Sequence, residues 1–171
     1  MPAPEARAGG GSRAAVVDAT GFSIPLGAPD GAVAVGAERL PAPDVSRIPG
    51  ARLLSLHGWD APSATVRAGC VGGPSGRYAP GIEEVLFEKA TWMTLTRAGI
   101  QPVGLGLTGS ADTDRTFART LEGRDGAAAV RIEHVMAFDG DDRDVIFCST
   151  LCRGDAAVCA GATLAVEGAS A

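Results

Sequence analysis

The chain has 171 residues and a formal charge of −5 at pH 7, the size of one ordinary domain. Its 46% apolar content includes 31 Ala, and a further 24 residues are Gly; Leu, Ile, Val and Phe together number 37, or 22%, just above the compositional range of disordered chains. A modest core of small side chains is expected. A nucleic-acid surface is disfavoured because no basic stripe stands ready for phosphates, and no apolar run approaches the ~18 residues of a membrane-crossing helix.

Residues 1–13 (MPAPEARAGGGSR) are Pro, Ala and Gly without periodicity. They read as a disordered tail or linker of the kind that follows a removed leader, with no basic segment and apolar run of a signal peptide. Residues 14–171 read as a single domain without internal repeats. Asp30–Gly50 scatters Pro and Gly around two short candidate strands.

Arg52–His57 and Ala64–Val71 are the first convincing strands. In the second, Val66, Ala68 and Cys70 alternate with Thr65 and Arg67, the period of a half-buried strand. The Gly-Trp-Asp-Ala-Pro run between them is turn chemistry. Gly72–Pro80 reads as a loop, and Gly81–Ala98 as a helix stopped by Arg97 and Gly99. At 100° per residue, Ile82, Val85, Leu86, Ala90, Trp92 and Met93 share an arc of about 160°. Glu83, Glu84, Glu88, Thr91 and Thr94 lie outside it, so the arc is expected to face the core.

Strands follow at Val103–Thr108, Thr116–Glu122, Ala128–Phe138 and Asp144–Cys152, the last two joined by an Asp-Gly-Asp-Asp turn. Asp155–Val166 reads as a short helix capped by Asp155. The order predicts an α+β fold: a mainly antiparallel sheet with one long central helix and a short C-terminal helix packed on one face.

The four cysteines are compatible with two disulfides in an oxidising compartment. Cys148 and Cys152 share a strand face about 13 Å apart and cannot bridge each other. Cys152 and Cys159 flank a Gly-Asp turn and can. Cys70 and Cys148 lie on alternating strands and can meet across the sheet. The alternatives are four reduced, buried thiols, or a metal set of Cys148, Cys152, Cys159 and a His, whose spacing lacks the usual knuckle. No metal and no cofactor is expected.

Lys89, the one lysine beside 14 arginines, falls inside the apolar arc. A desolvated lysine suits nucleophilic or proton-transfer work; the plainer reading is a stem lying on apolar surface with its head in water. His134 is in phase with Val130, Ile132, Met136 and Phe138, and His57 precedes Trp59; each reads first as a satisfied structural histidine. No Gly-x-Ser-x-Gly supports a hydrolase triad. The carboxylates of Asp139–Asp144 depart from a calcium loop in glycine position and in lacking its final Glu. The Gly-rich pieces at Gly72 and Gly104 lack the helix and lysine of a phosphate cradle.

The opening Thr20-Gly21-Phe22-Ser23-Ile24-Pro25, followed by strands, a helix and a Cys-bearing final segment, resembles the Mog1/PsbP-like group of small α+β proteins. The likeness spans the element order over about residues 20–166, with that one motif matched by residue. Where the group has Pro-x-Gly-Trp after the opening strand, this chain has Pro29-Asp30-Gly31-Ala32. The resemblance implies a helix on an antiparallel sheet and a non-enzymatic accessory role in the cell envelope, and it carries over no catalytic residue.

Together these readings favour a non-catalytic domain of a periplasmic or exported protein that binds a protein partner or small-molecule ligand. Trp92, Tyr78, His57 and Trp59 are the candidate binding residues. The alternative is a small enzyme with Lys89 and His134 in a pocket between the helix and the sheet. A reduced, cytosolic regulatory protein is a third reading.

Overall fold

The computed structural model describes residues 12–19, 22–40, 45, 50–74, 81–138 and 144–161. Strands β1 (Ser12–Ala19) and β2 (Phe22–Ala28) pair as an antiparallel ribbon. β1 thus begins inside the stretch read as a tail. A seven-stranded antiparallel sheet follows, built from β3 (Val33–Ala34), β4 (Arg52–Ala61), β5 (Ala64–Pro74), β6 (Val103–Asp112), β7 (Thr116–Asp125), β8 (Ala128–Phe138) and β9 (Asp144–Gly154). Helices α1 (Ile82–Ala98) and α2 (Ala156–Cys159) complete the α+β architecture. The expected 139–142 turn, residues 75–80 with Tyr78, and the chain beyond Gly161 lie outside the described residues.

The spatial order is β3-β4-β5-β9-β8-β7-β6. Two up-and-down meanders, β3–β5 and β6–β9, are joined through α1, and β9 closes the seam between β5 and β8. The edge strand β6 shifts register twice against β7, and such irregularities blunt an edge against unwanted pairing. α1 ends as its sequence predicts: Gly99 takes the left-handed conformation at φ 72° and its N–H reaches Leu95 and Thr96 carbonyls.

Strand register assigns every side chain to a face. His134 lies opposite Arg119 on one side and Ser149 on the other, so these three share a face. That face packs Phe117, Met136, Phe138 and Phe147 against Phe87 of α1, with Val130, Ile132 and Leu151 beside Leu95. Cys70 lies opposite Cys148 on the other face. There Val66, Ala68, Ala137, Ile146 and Cys152 meet Ile24 and Leu26 of β2 and Cys159 of α2.

The two helices therefore cover opposite faces, not one. The cause is covalent as well as apolar: Cys152 faces away from α1, and its bridge to Cys159 ties α2 to that side. Both expected cross-links are present, Cys70–Cys148 and Cys152–Cys159, so the cysteines weighed as metal ligands are engaged as disulfides. Asp155 caps α2 as expected, its carboxylate accepting from the Val158 N–H at 3.2 Å.

Candidate functional site

α1 sits on the sheet rotated well away from the orientation its apolar arc predicts: of that arc, only Leu86 and Ala90 are half-buried. Phe87 is its buried residue, 4% exposed, with Leu86, Thr91 and Leu95 half-buried. Ile82, Val85, Trp92 and Met93 face solvent; Val85 is 51% and Trp92 68% exposed. The physical reason lies in the sheet beneath. That face presents two buried polar side chains, Arg119 and His134, and burying either without partners would cost several kcal/mol, of the order of 2–7 for an unpaired polar group. Their partners are Glu84 and Thr91, residues on the side of α1 that the wheel assigned to water.

Arg119 donates to Asp112 of β6, to Glu84 of α1 and, at 2.8 Å, to the Ala118 carbonyl. Its guanidinium carbon lies 5.1 Å from the centre of the Phe87 ring. Desolvation opposes the charge, but the bonds to Asp112 and Glu84 override it and raise the pKa. The arginine is thus a fixed cation that draws the first turn of α1 onto the sheet.

His134 has no exposed surface. Its Nδ1 lies 2.6 Å from Ser149 Oγ, and its Nε2 lies 2.8 Å from Thr91 Oγ1. Thr91 donates its one hydroxyl hydrogen to the Phe87 carbonyl at 2.8 Å, so its oxygen accepts from Nε2–H. Nδ1 then accepts from the Ser149 hydroxyl. Each ring nitrogen is satisfied with the ring neutral, and burial lowers the pKa from 6.5 to about 4. The Ser-His-Thr arrangement has hydrolase-like composition but no access for a substrate.

A depressed histidine pKa stabilises the fold at high pH. The contribution is complete above the unfolded value of 6.5 and is lost as pH falls toward the folded value near 4. Its ceiling is about 3 kcal/mol, at 1.36 kcal/mol per unit. Wild type is expected to lose up to that much more unfolding free energy between pH 7 and pH 4 than His134→Gln. Carboxylate titrations occur in both proteins and cancel in the difference. Parallel urea curves for the two at both pH values would refute the buried neutral ring.

The other expected site residues are dispersed. Lys89 is exposed on the outer side of α1, at about 340° on a wheel where Thr91, the contact to His134, stands at 180°. Lys89 and His134 are thus separated by the helix and share no pocket. Trp59 is a core residue, 7% exposed, against the cluster that holds Ile24 and Val66. His57 stacks on it with centroids 5.7 Å apart, and burial lowers its pKa. A shallow concavity of about 620 Å³ lies at one end of β6 and β7, lined by Val103, Glu122, Arg124 and three glycines, and none of the candidate residues reaches it.

What remains together is a ridge. Ile82, Val85, Lys89, Trp92, Met93 and Thr96 run along the solvent side of α1 over its full length. Single exposed apolar residues are ordinary, but four along one side of one helix, interrupted only by Lys89, are the widest exposed apolar grouping on α1. Trp92 is thus the one candidate binding residue among the described residues that combines exposure with apolar neighbours. The sequence carried no local signal for this orientation, since the partners of Glu84 and Thr91 stand on β7 and β8. No family model matches the chain, and no curated protein matches it.

Proposed function

We propose that the chain is a non-catalytic accessory domain that binds a protein partner through the outer ridge of α1. The carrying observation is the exposure of Trp92, at 68%, amid Val85, Met93 and Ile82. Tryptophan is the side chain most enriched among residues that dominate binding energy, and leaving it in water on a helix held to the sheet by Phe87, Arg119 and His134 makes the ridge a pre-organised docking face. Two disulfides support a periplasmic or exported setting, since such bonds persist in oxidising compartments. The resemblance to the Mog1/PsbP-like group supports the same accessory role.

The reading separates stability from binding. Trp92→Ala is expected to change unfolding free energy by no more than about 0.5 kcal/mol, as for other surface substitutions; a core tryptophan would cost about 3–5. The same variant, immobilised beside wild type, is expected to lose the proteins that wild type retains from an extract of the source cells. An identical retained set for both, or a large drop in melting temperature, would sink the proposal.

A further inference from the structure

Resting on that reading of the ridge, we infer that its partner is a second copy of this chain, with two α1 helices packed antiparallel about a two-fold axis. Ile82, Val85, Lys89, Trp92 and Thr96 recur at alternating steps of three and four residues, the spacing of a helix-pairing seam. They form a strip along the length of α1's solvent side, and Lys89 is the one charged residue in that strip.

Antiparallel pairing centred between Ala90 and Thr91 resolves that charge. It sets Lys89 against Trp92 of the partner subunit, twice by symmetry, and a lysine over an indole face is a favourable cation–π contact. Val85 then lies against Thr96 of the partner subunit. Parallel pairing would instead oppose the two lysines.

The rest of the helix is charged to match. All its acidic residues, Glu83, Glu84 and Glu88, lie in its first half, and the charged residue of its second half is Arg97. Antiparallel alignment brings the acidic half of each copy toward the half that holds Arg97 in the other and opposes the helix dipoles favourably. The contact is isologous, so it closes at a dimer and does not propagate. A single helix pair falls at the small end of specific interfaces, near about 1,200 Å², so dissociation is expected at about 10⁻⁶–10⁻⁴ M.

Sedimentation equilibrium of the full chain across that concentration range reads the dimer directly. Wild type is expected to self-associate, Trp92→Glu to associate at least tenfold more weakly with an unchanged circular dichroism spectrum, and Lys89→Glu to weaken while Lys89→Arg retains the dimer. With one lysine in the chain, a short homobifunctional amine cross-linker is expected to join Lys89 to Lys89, distinguished from the N-terminal amine by peptide mapping. A monomeric wild type, an undiminished Trp92→Glu dimer, or a dimer without the Lys89 link overturns the inference. If wild type is monomeric yet still retains other proteins in a Trp92-dependent way, self-pairing falls and the docking face stands. If Trp92 affects neither, both fall.

Discussion

Replacing Cys70 and Cys148 together with alanine is expected to lower the unfolding free energy by about 4–5 kcal/mol. The bond closes a span of 78 residues, and in the chain-entropy account a loop of that length restricts the unfolded state by about 4.5 kcal/mol. The span contains α1 and the strands from β6 to β8, so the bond fastens the two meanders at the β5–β9 seam. Cys152–Cys159 spans only 7 residues, and the same account assigns it about 2 kcal/mol. Urea unfolding of the two double-alanine proteins tests the ranking. Equal losses, or a greater loss from the 152/159 pair, would show that loop length is not what governs here. Both sulfur atoms of the longer bridge belong to residues without exposed surface, so a mild reductant is expected to open it only as fast as the protein unfolds.

Phe87→Ala is expected to cost about 3–5 kcal/mol, the usual range for emptying a buried aromatic site. The ring meets Phe147 at 5.5 Å and His134 at 5.7 Å between centroids, and it underlies the Arg119 guanidinium. Truncation opens a void between α1 and the sheet and strips the face of the arginine. It is the sole buried residue of α1, so few other apolar contacts compensate. The informative comparison is with Trp92→Ala, at one-tenth of that cost or so. The wheel drawn from sequence ranks the two in the reverse order, because Trp92 lies in its apolar arc and Phe87 does not. Melting temperatures of the two variants decide which side of α1 faces the sheet.

Most strands and both cross-links were legible in the sequence because their signals are local. A half-buried strand must alternate with period two, and Val66, Ala68 and Cys70, like Ile132, His134 and Met136, do so. Strand rise alone forbids Cys148 from bonding Cys152, a turn puts Cys159 within reach of Cys152, and alternation lets Cys70 meet Cys148 across the sheet. The caps of both helices were equally local: Gly99 and Asp155 act on backbone groups a few residues away.

Which side of α1 is inside was decided elsewhere. Arg119 and His134 stand on β7 and β8, roughly 30 to 45 residues beyond their helix partners, and they share the face of Phe87 because the β7–β8 register sets them opposite each other, with Ser149 of β9 on the other side of His134. Two buried polar groups outweighed a wider apolar arc, since an unpaired arginine or imidazole in the core costs more than leaving a few apolar side chains in water. The same register sent Cys152 to the opposite face and took α2 with it. Sequence by itself determined most strands, the Gly99 and Asp155 caps and which cysteines could bridge; the pairing of β7, β8 and β9 decided which polar groups were buried, and through them which residues of α1 were left in water.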